Sequence, residues 1–152
     1  MSFMSKSFSF KYEEVPYGWA MCFNDNCERR ESCLRRQAAE LSAEVAPKER
    51  RQTMCVTPLA YVGGSCTEYK ALKTERLAWG FNHLYDRVLK AHYQKIKDAL
   101  VKYLNGMSNY YRYRNGELKL SESQQQHVAQ LFSRYGYNDT PVFDHYELKT
   151  VF

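Results

Sequence analysis

Three cysteines stand within a dozen residues of one another, Cys22, Cys27 and Cys33, and two more follow at Cys55 and Cys66. They occupy a stretch, residues 12–66, that has little hydrophobic periodicity and is punctuated by Pro16, Gly18, Pro47, Pro58, Gly63 and Gly64. Such a segment cannot gather enough apolar surface to hold itself in shape. A metal ion can do it instead, with apparent binding energies of about 10–16 kcal/mol in zinc-finger peptides. The opening residues 1–10 carry one Lys, no apolar run and no small-residue cleavage site, so neither a signal peptide nor an anchor is expected there. No stretch approaches the roughly 18 apolar residues of a membrane span. A cytoplasmic location follows as the expectation, and in that compartment thiols stay reduced. Five reduced cysteines point to metal binding or to inert core positions, and away from disulfides.

Thiolates are soft, strongly donating ligands, and four of them complete a tetrahedral Zn²⁺ site. The expected ligands are Cys22, Cys27, Cys33 and Cys66. The last follows Gly63-Gly64-Ser65, a turn whose backbone amides are free to approach a thiolate. Cys55 is the alternative fourth ligand, although Met54-Cys55-Val56 is apolar and strand-like and reads as core. No CxxC pair is present. Thiolates at these spacings also suit a [4Fe–4S] cluster, which is the alternative cofactor, and free Cys is in addition among the most buried residue types. Trp19 and Phe23 flank the cluster and read either as a shield or as ordinary core.

The fold expected is α-rich with a minor β component. It comprises an irregular cysteine module over residues 1–66 and a helical module over residues 67–152, packed as one unit. Inside the first, Ser32 is placed to cap a short helix over residues 33–41, with Leu34, Ala38 and Leu41 at helical spacing. In the second, Leu77, Phe81, Leu84, Tyr85, Val88, His92, Ile96, Ala99, Leu100 and Tyr103 recur at steps of three and four. That predicts one long helix over residues 67–104, with Gly80 as a kink and Asn105-Gly106 as its stop. Tyr110 to Arg114, Asn115-Gly116 and Glu117 to Leu120 predict a β-hairpin at 110–120. Ser121 and Gln124 form a capping box ahead of a further helix with Val128, Leu131, Phe132 and Tyr135 on its buried face. Thr140-Pro141 predicts a last short helical segment.

Charge is unevenly spread. Residues 70–119 hold 11 basic and 4 acidic groups, whereas the whole chain carries a formal +5. Such a block fits a solvated helix face rich in Lys before it fits a polyanion partner, of which nucleic acid is the first to test. Within it Tyr110, Arg112 and Arg114 are the candidate contacts, since aromatic faces stack on bases and guanidinium groups take phosphate. A protein partner, or a homodimer through the long helix, is the other expectation. His83, His92, His127 and His145 are scattered, with no HExxH pair and no nucleophile context, and there is no glycine-rich phosphate loop. Asp144-His145 near Glu147 reads as a chance cluster and His92 as a core histidine. No catalytic residue is assigned, and the expectation is a non-enzymatic binding or regulatory protein.

The segments Pro16-Tyr17-Gly18-Trp19-Ala20-Met21-Cys22-Phe23-Asn24, Cys27, Cys33-Leu34-Arg35, Val56-Thr57-Pro58 and Gly64-Ser65-Cys66 resemble a bacterial domain family of unknown function. Tyr111 to Glu117 and Phe143-Asp144-His145-Tyr146 share that resemblance, which spans most of the chain. It implies a shared fold and brings no activity with it.

Overall fold

A computed structural model describes residues 8–152. The chain divides into two compact units, one running up to Thr74 and including Thr150–Phe152, the other Glu75–Lys149. Among the described residues there are four α-helices and two small antiparallel sheets, so the chain is mixed α+β and mostly helical.

The first unit is built on one helix. α1 covers Leu34–Glu44, a turn longer than the spacing predicts, and Cys33 is its N-cap. Leu34, Ala38 and Ala39 are fully buried on it against Phe10, Tyr12, Val15 and Met21. Ser32, the expected cap, lies one residue outside and uses its hydroxyl on the Arg29 carbonyl and the Tyr69 hydroxyl. A short hairpin supplies the first sheet, with β1 at Tyr61–Val62 and β2 at Ser65–Cys66, and with Tyr61 opposite Cys66. Gly63 and Gly64 both take positive φ, 60° and 79°, which is what a two-residue turn matched to strand twist demands. Arg51 holds the irregular start in place. Its guanidinium donates to the carbonyls of Val15 and Tyr12 and lies over the rings of Tyr12 and Tyr17.

The second unit corrects the long helix. Residues 74–79 form β3 (Thr74–Trp79), residues 82–87 form turns, and only Lys90–Tyr103 is helical, as α2. Gly80 ends the strand at φ 89°. Just beyond it the Asp144 carboxylate accepts the amide hydrogens of Asn82 and His83, so these donors are satisfied by a side chain and a continuous helix is not needed. Phe81 and Leu84 still reach the core from the turns, which is why their spacing imitates a helical stripe. Asn105 and Gly106 stop α2 as expected, both with positive φ.

The hairpin at 110–120 is corrected as well. Met107–Asn115 is a helix, α3, and Gly116 ends it in the left-handed conformation at φ 83°. The Asn-Gly pair therefore turns the chain, but as a helix cap. Tyr110 and Tyr113 lie three residues apart, and Tyr110 is buried with Tyr113 packed beside it, so the helical period overrides the alternation of Tyr and Arg. The capping box at Ser121 is present in full and starts α4, Glu122–Ser133, with Val128, Leu131 and Phe132 buried. The expected last helical segment is instead β4, His145–Thr150, which pairs with β3. Ile96, Leu100, Leu104, Leu120 and Phe143 complete a core around the fully buried Ala78.

Candidate metal centre

Four of the five cysteines, Cys22, Cys27, Cys33 and Cys66, line one small cavity of about 30 Å³ in the first unit, together with Arg29, Arg35, Arg36 and Glu68. They reach it from separate pieces of chain. Cys22 follows Met21, whose amide donates to the Met54 carbonyl and whose carbonyl accepts from Val56. The Cys22 amide itself donates to the Arg35 carbonyl of α1 at 3.1 Å. Cys27 sits in the turn that follows. Cys33 caps α1 and is bridged to Ala71, with the Leu34 amide on the Lys70 carbonyl at 2.7 Å and the Leu72 amide on the Ser32 carbonyl at 3.0 Å. Cys66 arrives on β2.

Two arginines on the first turn of α1 tie these pieces together. Arg35 donates to the carbonyls of Ala20 and Glu68, pairs with the Glu68 carboxylate at 3.2 Å and lies over the Trp19 ring. Arg36 donates to the Cys22 carbonyl at 3.4 Å and pairs with Asp25 and Glu40. Arg35 and Arg36 are already matched by the carboxylates of Glu68, Asp25 and Glu40, so at the cavity wall they order the cysteine-bearing segments, and Arg29 adds a further cation to the lining. Sequence reading took Arg35 only as part of a resemblance and passed over Arg36. The signal was available: two consecutive Args, Arg35 and Arg36, one residue beyond the cysteine that caps the helix.

Among the described residues no three His, Cys, Asp or Glu side chains are drawn together closely enough to hold an ion. The thiols border the cavity without converging on a point. Coordination there requires the thiolates to turn in, and a cation is what offsets their mutual repulsion once deprotonated.

Cys55 does not sit in the core where its apolar neighbours placed it. It is exposed, because its segment is bridged at the edge to Met21 and only Met21 faces inward. It borders a second, open groove of about 610 Å³ with Cys22, Cys27 and Cys66. Phe23 lines that groove and is half-exposed, so it covers no buried site, whereas Trp19 packs edge-on against Phe152.

The candidate nucleic-acid residues separate. Tyr110 is 3% exposed, its hydroxyl on that of Tyr85, and burial pushes both hydroxyls up from their ordinary values. It is a core residue and unavailable to a base. Arg112 and Arg114 are exposed on the last turn of α3, where cations suit the helix dipole. Arg112 pairs with Glu117 at 3.4 Å, and Arg114 reaches Asn82 at 3.5 Å. His92 is half-buried on the Tyr137 hydroxyl. His145 stacks on Trp79, and Asp144 is committed to backbone amides, as above. No helix among the described residues is long and apolar enough to cross a membrane.

An α+β chain with a cysteine-lined cavity under its first helix is thus defined. The chain belongs to DUF6078, a family of unknown function, whose model matches residues 4–150. No curated protein and no solved structure matches it.

Proposed function

We propose that the chain is a non-enzymatic binding protein whose first unit is stapled by one structural zinc ion held by Cys22, Cys27, Cys33 and Cys66. The observation that carries this is the sharing of a single cavity by these four thiols. Its small volume, about 30 Å³, favours a single ion over a larger group. The arginines of α1 hold the chain around Cys22 against the helix. The zinc supplies folding energy to a segment otherwise held by turns and short helices.

The partner class proposed is nucleic acid, met by the second unit. Lys90, Lys95, Lys102, Arg112 and Arg114 are exposed there, and phosphate contacts from such cations need no sequence recognition. The zinc reading is tested by chelation. Stripping the ion with a chelator at neutral pH should expose the first unit to limited proteolysis while α2–α4 stay protected. Protease resistance unchanged by chelator, in protein shown to have carried zinc, would contradict a stapling role.

A further inference from the structure

β4 is an edge strand, since its sheet has two strands and β3 is its one neighbour there. The far edge of β3 is already in use. Ala78 exchanges backbone bonds with Leu120 at 3.1 and 2.7 Å, the Arg76 amide donates to the Glu122 carboxylate, and the Arg76 carbonyl accepts from the Gln125 side chain. The Val151 amide on the Lys73 carbonyl and the Trp79 ring stacked on His145 set the β3–β4 pairing, with Glu147 opposite Leu77. Successive residues of a strand present their amides and carbonyls to opposite edges. With Ala78 turned to Leu120, Leu77 is turned to Glu147, and the backbone groups of Tyr146 and Leu148 face outward. Among the described residues no strand pairs with that edge. Leu148 on it is 72% exposed.

Exposed edges are commonly guarded by charge, Lys above all, because a charge carried into a new pairing is left without a partner. The guard here is Lys149, exposed and, among the described residues, in no ion pair. Two residues before it Glu147 carries the opposite charge and meets Lys119 at 2.7 Å through one carboxylate oxygen. A foreign strand with no acid in the matching place would leave Lys149 unpaired, whereas a second β4 brings that acid with it.

We propose that β4 pairs antiparallel with β4 of a second copy of this chain about a two-fold axis at Leu148, joining two two-stranded sheets into one of four strands. An isologous contact needs a strand complementary to itself, and in this register β4 is. Leu148 lies opposite the partner's Leu148, and the outward amide and carbonyl of each bond those of the other. Glu147 lies opposite the partner's Lys149, and Lys149 opposite the partner's Glu147. Both charge pairs fall at positions without backbone bonds, where facing side chains stand closest. Sliding the axis to Glu147 or to Lys149 sets like charges face to face, which disfavours either register. The contact is short, so the dimer is weak and depends on concentration.

The test uses the full-length protein in sedimentation velocity across a concentration series. The parent should pass from monomer to dimer as concentration rises. Lys149→Glu and Glu147→Lys each replace two favourable pairs by two unfavourable ones, and each should weaken self-association by roughly tenfold or more. Mixed one to one, the two variants recover both opposite-charge pairs and should form a heterodimer about as tightly as the parent forms its dimer. Lys149 is exposed and unpaired, so Lys149→Glu keeps the fold, as circular dichroism checks, and decides the matter alone should Glu147→Lys not fold. A parent that stays monomeric throughout overturns the proposal and leaves the edge to a foreign strand. A dimer that Lys149→Glu does not weaken lies on another face and overturns it as well. So does a mixture of folded variants that associates no better than either one alone.

Discussion

The amide of Cys22 donates to the carbonyl of Arg35 at 3.1 Å, so the chain bearing the first cysteine is fixed to the helix that begins at the third. The Arg36 guanidinium repeats the link in the other direction, from α1 back to the Cys22 carbonyl. The segments bearing Cys22 and Cys33 are thereby held in register by the protein alone, and in the zinc reading proposed above an ion would close a gap already narrowed.

Replacing Arg36 by Ala should destabilise the first unit by about 1–3 kcal/mol, since the side chain is largely buried and charged hydrogen-bond donors carry that much. It should weaken zinc binding in parallel. Arg87→Ala is the control. Its pair with Asp139 is at 3.6 Å with both side chains about nine-tenths exposed, and such pairs contribute roughly 0–1 kcal/mol. Urea unfolding of the two variants checks the contrast.

Gly116 and Gly136 both have positive φ, 83° and 89°, so Ala at either incurs left-handed strain of about 1–2 kcal/mol. They differ in surroundings. A Cβ on Gly116 would stand 2.7 Å from the Trp79 ring, whereas one on Gly136 meets nothing within 4 Å. Gly116→Ala should therefore be clearly the more destabilising of the two in chemical denaturation, and should shift the tryptophan emission. Equal losses would show that Trp79 yields freely.

His83 should titrate above the ordinary histidine value of about 6.5. Its ring hydrogen-bonds the Asp86 carboxylate at 2.9 Å, and the charges of Asp86 and Asp144 add to that. A folded-state value raised in this way favours the folded chain fully at pH below the unfolded value. The contribution fades as pH rises through the folded one. NMR titration of the parent and Asp86→Asn measures the effect directly, and the variant should return His83 toward its ordinary value.

Much of the second unit could be read locally, and the failures share a cause. The Ser121–Gln124 box closes within three residues, so sequence alone located α4. The Leu77–Val88 stretch was read as helix because its 3- and 4-residue steps are real. What decides its conformation lies elsewhere in the chain, in the pairing of β3 with β4 and in the Asp144 carboxylate on the amides of Asn82 and His83. Asn115-Gly116 signalled a turn and could not say which elements it joins; burial of Tyr110 against Phe81 and Tyr85 settles that. In the first unit the spacing draws attention to Cys22, Cys27 and Cys33 and the Gly63-Gly64 turn to Cys66, and these four line one cavity. The exposure of Cys55 was not legible, because an apolar tripeptide looks the same whichever side of Met21 it lies on.

If the exposed cations of the second unit meet nucleic acid, affinity should fall steeply between low and moderate salt. Arg112→Ala with Arg114→Ala should weaken binding about equally for unrelated sequences, and Tyr110→Phe should leave it unchanged because that ring is buried. Fluorescence anisotropy across a salt series reads all three. Binding indifferent to both arginines would remove the proposed interface.

The metal decides most. Protein purified without oxygen should carry one zinc per chain by elemental analysis, retained through gel filtration at neutral pH and released as acid protonates the thiolates. Cys22, Cys27, Cys33 and Cys66 should then become reactive together. A chain that carries no metal, and whose thiols other than exposed Cys55 react only on unfolding, would contradict the centre outright.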